Sequence, residues 1–235
     1  MKAIVLKRRN FRENDQIISF YTWEKGKIDL LAKGVKKISS KNSAYLEPMS
    51  FVDIESVSGK EFEYLTGVQM IDYFPKNRRD LKKSLYILFL LSFLNQQLEE
   101  RAGDKNIFFL LLSFLNFSEE TADFKKFFID IFIFKILVFF GFEPILNSCV
   151  FCSKEDSLNN FYYGGGLACP QCLETNKILA KNYISIKPKI IKKLKDILVY
   201  DFKDLEIEKA DYEEIHKIIY NFACFHCEKK IKDWA

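Results

Sequence analysis

The sequence predicts an α+β protein: an N-terminal β-barrel of the OB type, then an α-helical domain that carries a four-cysteine zinc module. Three observations lead there. The first 75 residues break into five short β-rich runs with no helical period. Beyond Pro75 the apolar spacing becomes that of helices. Two Cys-x-x-Cys pairs then stand sixteen residues apart, at Cys149/Cys152 and Cys169/Cys172. The expected division is a barrel over 1–76, a helical domain over 77–144, a four-cysteine module over 145–175, and C-terminal helices over 176–235 packing on the helical domain.

The five strands are expected at Ala3–Lys7, Gln16–Trp23, Lys27–Lys33, Met49–Val57 and Glu61–Tyr73, with turns at Lys25-Gly26 and Ser58-Gly59-Lys60. A basic loop, Gly34–Ser43, follows the third. A partly open barrel suits this pattern, and a five-stranded sandwich fits it too. Asn77 is placed to cap a helix running to about Arg101, with Leu81, Leu85, Leu88, Leu91 and Leu98 among its apolar positions. Asp104 is placed to cap a second, to about Phe117. Ser118, with Glu119 and Glu120 in the first turn, starts a third that runs to Phe140, apolar nearly all round. Gly141 suits its C′ position and Pro144 the stop beyond. Pro188 opens a further helix. Asp211 and Glu214 have capping-box spacing for a last one, to about Lys232.

Composition narrows the class. Of 235 residues, 49% are hydrophobic, enough for a packed core. Residues 1–48 hold eleven Lys or Arg against five Asp or Glu, whereas residues 81–235 hold 21 of each. A positive field confined to one end points to a polyanion site, and a solvated lysine-rich surface is the blander account. Met1 opens a strand-like run rather than a secretory signal. The apolar stretches Leu85–Leu94 and Ile107–Phe117 are shorter than a membrane span, and Phe127–Phe142 is interrupted by Asp130 and Lys135. The expected location is therefore the cytoplasm, where paired cysteine spacing favours a metal over a disulfide.

Each Cys-x-x-Cys can present two thiolates about 2.3 Å from one tetrahedral ion, so two pairs fill every position. With no open position, Lewis-acid chemistry has no place to occur, and binding energy becomes folding energy. Zinc is the expected ion, with iron in the same cage as the lesser alternative. A redox dithiol at Cys169-Pro-Gln-Cys172 is the competing reading, but no βαβ context surrounds it. Cys224 and Cys227, one helical turn apart, read as two small core residues or as a half-site completed by another chain. His216 and His226 have no evident partner.

The residues Gly141-Phe-Glu-Pro144, Leu146, Cys149-x-x-Cys152, Phe161, Gly164-Gly-Gly166 and Cys169-x-x-Cys172 together resemble the RecO family of bacterial recombination mediators. So do Val5-Leu6-Lys7, Asn14-Asp15, Phe20-Tyr-Thr22, Gly26-Lys27, Ala32-Lys33-Gly34 and Ser39-Ser40 in the barrel. Beyond about residue 180 the likeness is only that both are helical. Two departures stand out. Ser153 and Leu173 occupy the positions after each second cysteine, where the family often has glycine, and Cys224/Cys227 are no part of the pattern. The resemblance implies a non-enzymatic protein, nucleoid-associated in the cytoplasm. It would bind single- and double-stranded DNA, anneal complementary strands, partner RecR, and engage single-strand-binding protein while helping to load RecA.

On that reading Lys7, Arg8, Arg9 and Arg12 at the end of the first strand, with Lys33, Lys36, Lys37 and Lys41 beyond the third, form a phosphate-binding track at converging barrel ends. Tyr21, Trp23 and Tyr45 are candidates to stack bases, although barrel core or rim is the commoner role. An apolar helical groove beside Lys125 and Lys126 could take the acidic tail of single-strand-binding protein. Gly164-Gly-Gly166 lacks the Lys-Ser/Thr of a phosphate loop and reads as a tight turn. No nucleophile or carboxylate pair stands out. Another zinc-ribbon adaptor, acting on RNA or in transcription, and a thiol oxidoreductase complete the alternatives.

Overall fold

Residues 2–10 begin the chain as an apolar run that ends in a basic one, and this fixes the first strand, β1 (Lys2–Asn10). With β2 (Gln16–Thr22), β3 (Gly26–Ala32), β4 (Phe51–Ser58) and β5 (Glu63–Asp72) it forms a closed barrel in the order β1-β2-β3-β5-β4. The computed structural model describes residues 1–37, 40, 42–175 and 182–234. They fall into two compact units, Met1–Phe124 and Lys125–Ala235.

Strand side chains alternate between faces, so Ala3 and Val5 of β1 and Ile18 and Phe20 of β2 point to the barrel interior with Ile28, Leu30, Val52 and Ile54. Ile4, Leu6 and Tyr21 are buried as well, on the opposite face, so these strands are covered on both sides. Closure rests on two short seams. Lys2–Ile4 pair with Phe51–Asp53, and the parallel contact of β3 with β5 is registered at Leu31 and Tyr64 alone.

Three helices complete the first unit: α1 (Pro75–Arg79), α2 (Leu81–Gln97) and α3 (Lys105–Glu120). The helix expected from Asn77 to Arg101 is therefore two. Asp80 adopts an extended conformation and accepts the Lys83 N–H, ending α1 and capping α2. Asn77 is not a cap; it lies buried inside α1 and donates its amide to the Leu115 carbonyl and the Ser118 hydroxyl. Asp104 caps α3 as expected, accepting the Asn106 N–H. Tyr21 ties that cap to the barrel, donating to the Asp104 carbonyl and accepting its N–H.

The start expected at Ser118 is overturned, because α3 continues through Glu120. The Ser118 hydroxyl donates back to the Leu115 carbonyl. Glu119 does serve a helix N-terminus, but that of α1, where its two oxygens accept the Lys76 and Asn77 N–H groups at 2.8 Å. The buried Lys83 ammonium closes α3, donating at 2.8 Å to the carbonyls of Ser118 and Thr121. Lys27 closes α2 in the same way, on the carbonyls of Asn95 and Leu98.

The second unit is built on α4 (Phe127–Phe139), apolar on every face and buried along most of its length. Gly141 ends it in a left-handed conformation, φ 89°. The Phe142 N–H reaches the Leu137 carbonyl and the Gly141 N–H that of Val138, both bonds of a Schellman cap. A hairpin of β6 (Asn160–Tyr162) and β7 (Gly166–Ala168), joined by β8 (Tyr183–Ser185), follows. In chain order a short α5 (Pro170–Thr175) precedes β8, and α6 (Pro188–Val199) and α7 (Lys209–His226) follow it and pack on α4 and on each other. Pro188 opens α6 as expected, and α6 buries Ile190, Leu194 and Ile197 on one stripe. By contrast α7 starts at Lys209, before the expected Asp211, whose carboxylate instead pairs with the Lys189 ammonium at 2.8 Å. It also stops at His226, short of the expected Lys232. Beyond it the chain is non-helical and seats Ile231 and Trp234 in the apolar interior.

One polar cluster interrupts that interior. Asp130 of α4 is fully buried and accepts from His216 of α7 at 2.8 Å and from the Trp234 indole at 2.9 Å. The other ring nitrogen of His216 lies 3.2 Å from Asp233. His216 thus has the partners its sequence neighbourhood hides.

Candidate functional site

Two sets of residues stand out chemically. In the second unit the sulfurs of Cys149, Cys152, Cys169 and Cys172 all lie within 4.8 Å of one another. Cys152 Sγ and Cys169 Sγ are 3.8 Å apart. A tetrahedron with metal–sulfur bonds of about 2.3 Å has edges of about 3.8 Å, so this spacing is that of a thiolate cage. It is nearly twice the disulfide bond length of about 2.05 Å, and all four cysteines are free thiols. The donor set therefore fits a structural metal ion.

Local folding supplies the cage. The first pair sits on a knuckle closed by the Ser153 N–H to the Cys149 carbonyl, and the Val150 N–H bonds Leu167 of β7. The second pair straddles the start of α5, where the Leu173 N–H bonds the Cys169 carbonyl. The Cys169 N–H points at Cys149 Sγ from 3.4 Å. Burial raises the Cys149 thiol, but N–H donors from Cys169, Phe151 and Cys152 outweigh it and bring the pKa down to about 6. Cys172 is pushed up to about 12 by its hydrogen bonds with Cys152 and Cys169. Four crowded thiols cannot all ionise alone, and a dication removes that conflict.

The glycine positions are now intelligible. Ser153 sits at φ 59°, the left-handed conformation that favours glycine, whereas Leu173 lies within α5 and needs none. Ser153→Gly is expected to stabilise the module by about 1 kcal/mol, read as a rise in the denaturant midpoint at constant slope. No gain would mean the strain is relieved elsewhere. Gly164 and Gly165 lie in the β6–β7 turn and Gly166 opens β7, where the Ile145 carbonyl lies so close that a Cβ on Gly166 would clash with it.

Cys224 and Cys227 are not core residues. Cys224 is exposed on α7, and Cys227 is half-buried at the helix cap. Burial, then the charge of Cys224, pushes Cys227 up to about 11. Among the described residues they join no metal-holding cluster. His226 stacks on Phe142 at 4.5 Å.

In the first unit the basic residues gather at one barrel end. Register places the end of β1 beside the start of β2, the end of β3 beside that same start, and the start of β5 beside the end of β4. A β-bulge at Leu6 shifts the register just before Lys7, Arg8 and Arg9. The Gly34 N–H bonds the Asp15 carboxylate at 2.8 Å, and the Lys36 N–H the Asn14 carbonyl at 3.1 Å. Those bonds join the Arg12 loop to the Lys33–Lys37 turn. Arg8 is neutralised by Glu47 at 2.6 Å and Arg9 by Asp29 at 3.3 Å. Lys7, Arg12, Lys33, Lys36 and Lys37 are exposed, without a carboxylate partner among the described residues. Lys41 lies outside those residues.

The aromatic residues expected to stack bases do not do so freely. Tyr21 is fully buried, and Trp23 packs against Phe108 and Phe109 of α3. Tyr45 is partly exposed on a 3-10 turn, Ser43–Leu46. The aromatics at the basic end are Phe11, Phe62 and Tyr64, which the sequence reading missed. Their signal was adjacency to Arg12 and to the Ser58-Gly59-Lys60 turn. No helix among the described residues is long and apolar enough to cross a membrane.

Comparison with known proteins covers both units. The family described as "Recombination protein O N terminal" matches residues 1–74, and "Recombination protein O C terminal" matches residues 78–235. A protein of Caldanaerobacter subterraneus named "DNA repair protein RecO" is 27% identical over 100% of this chain and 96% of its own length. Proteins of the same name from Dehalococcoides mccartyi and Syntrophomonas wolfei are 32% and 29% identical, over 74% and 73% of this chain and 70% and 68% of theirs.

Proposed function

The chain belongs to the recombination protein O family of DNA repair proteins, and from that premise we propose that it is a non-enzymatic recombination mediator whose barrel grips DNA by its phosphates. It binds single- and double-stranded DNA, anneals complementary strands, and acts with RecR to load RecA on strands coated by single-strand-binding protein. The observation that carries this reading is the joining of the Arg12 loop to the Lys33–Lys37 turn, which collects unpaired cations at one barrel end.

The chemistry required is modest. Annealing makes no covalent bond; it needs two polyanions held close with their charge screened and their bases open. Lys7, Arg12, Lys33, Lys36 and Lys37 supply sequence-independent phosphate contacts. Arg8 and Arg9 join them by exchanging Glu47 and Asp29 for phosphate. In the second unit Cys149, Cys152, Cys169 and Cys172 would hold one Zn2+, whose binding supplies folding energy to the module. Family membership supports RecR, RecA and the acidic tail of single-strand-binding protein as partners, and a cytoplasmic setting.

Replacing Lys33, Lys36 and Lys37 together by Ala is expected to weaken single-stranded DNA binding and slow annealing of strands coated with single-strand-binding protein. The slope of log K against log salt should fall by about 2, since each lost phosphate contact removes roughly 0.7. A titration across salt concentrations measures it. An unchanged slope removes this placement of the track, and preference for structured RNA over DNA would favour an RNA adaptor instead.

A further inference from the structure

Aromatic rings rarely stand in a basic surface without a partner. At the basic end of the barrel, Phe11 meets Phe62 edge-on with centroids 5.2 Å apart. Phe11 belongs to the β1–β2 loop, and Phe62 to the β4–β5 turn. The two connections belong to different hairpins of the barrel, so the contact spans the mouth. Tyr64 stands beside it, at the single register point where β3 meets β5. None of the three belongs to the barrel's hydrophobic core or packs against it. Phe11 is 37% exposed, and Phe62 and Tyr64 are half-buried. Packing of the barrel core does not account for these rings, although the Tyr64 backbone helps to close the seam.

Two of these rings also carry a cation. The Arg12 guanidinium lies 5.1 Å from the Phe11 centroid, and the Lys33 ammonium 4.3 Å from that of Tyr64. The Tyr64 ring rests close against the Gly59 backbone. A Cβ on Gly59 would come within 2.3 Å of it, so only glycine allows the ring to rest there. The turn is closed by the Gly59 N–H to the Phe62 carbonyl at 2.9 Å. The ring is pre-positioned, and little side-chain entropy remains to be lost on binding.

We propose that Phe11, Phe62 and Tyr64 form a stacking platform for unpaired DNA bases, with Arg12 and Lys33 leaving the ring faces to meet the flanking phosphates. This deepens the reading of the barrel as a DNA-binding site and rests on it. Exposed cation–π contacts are weak, and base–aromatic stacking is stronger, so the exchange runs towards the bound strand. Stacking tolerates any base, because every base has a π-face. It also requires bases that are not buried in a duplex. The platform thus gives the site a preference for single strands that phosphate contacts alone do not provide.

The test compares three ligands of equal length: oligo-dT, the same strand with abasic sites, and a duplex. Phe11→Ala and Tyr64→Leu are each expected to weaken oligo-dT binding about tenfold while leaving the abasic strand, the duplex and the salt slope unchanged. Phe11→Trp should restore oligo-dT affinity, and its fluorescence should be quenched by oligo-dT but not by the abasic strand. Unchanged oligo-dT affinity, or equal losses on abasic and base-bearing strands, overturns the platform while leaving the phosphate track standing. Failure of the parent chain to bind any of the three overturns both.

Discussion

Replacing Cys149 and Cys152 by Ser is expected to abolish metal binding at the four-cysteine cluster and unfold the knuckle module. Structural zinc contributes about 10–16 kcal/mol of apparent binding energy in small domains, and the cage joins the knuckle at Cys149 and Cys152 to the start of α5. Around the cage, among the described residues, the buried apolar cluster comprises Cys149, Ala168, Cys169 and Leu173, with Val150, Leu158, Tyr162 and Cys172 packed against it. The parent chain should contain one metal ion by elemental analysis, and the variant none. Proteolysis should then cut within 145–175 in the variant at protease levels the parent resists. Stripping the parent with a strong chelator should reproduce the pattern, more readily at low pH, because thiols must lose their protons to bind the ion. Folding left intact with DNA binding abolished would overturn the structural role assigned to the metal.

The second large effect is expected at Asp130. Its carboxylate is wholly buried and holds two elements together, His216 of α7 and the Trp234 indole near the end of the chain. Asp130→Ala leaves both donors without an acceptor in an apolar interior and is expected to cost about 3–5 kcal/mol, read from urea unfolding. A loss below about 1 kcal/mol would show that the cluster is dispensable. The same cluster has a pH signature. Burial alone would lower the His216 pKa, but the hydrogen bond and charge of Asp130, then Asp233, outweigh it and hold the imidazole above its ordinary value. Burial also raises Asp130, against its bonds to His216, Trp234 and Tyr212. Both groups hold protons more tightly folded than unfolded, so both make stability fall as pH rises. The His216 contribution is fully present below about pH 6.5 and is lost as pH climbs through the raised folded value. Asp130→Asn should flatten that decline above about pH 6.5, leaving a curve shaped by the remaining groups.

Much of this molecule is legible in local pattern. The five strands, the Asp104 cap, the Gly141 stop and the Pro188 start each depend on neighbours within a few residues, and backbone preference acts at that range. The metal cage is legible for the same reason, because two residues between cysteines set the bite of each half. Ser153 shows the limit. Serine stands there where the family often has glycine, and the position still adopts the left-handed conformation, φ 59°.

What failed locally failed because the partner was distant in sequence. Ser118 and Glu119 carry the chemistry of a helix start, and Glu119 performs it for α1, far earlier in the chain. Asn77 has the chemistry of a cap but is drawn into the interface of α1 with α3. Lys83 and Lys27 direct their charge to helix C-termini rather than to a ligand. Local pattern alone sets the succession of barrel, helices and cysteine module, the four thiolates and the placement of basic charge at one end. Packing in three dimensions selects which cations stay unpaired, which aromatics reach the barrel mouth, and where His216 finds its partners. A side chain's chemistry is written in its type, but its partner is chosen by packing, which brings together residues that no local spacing connects.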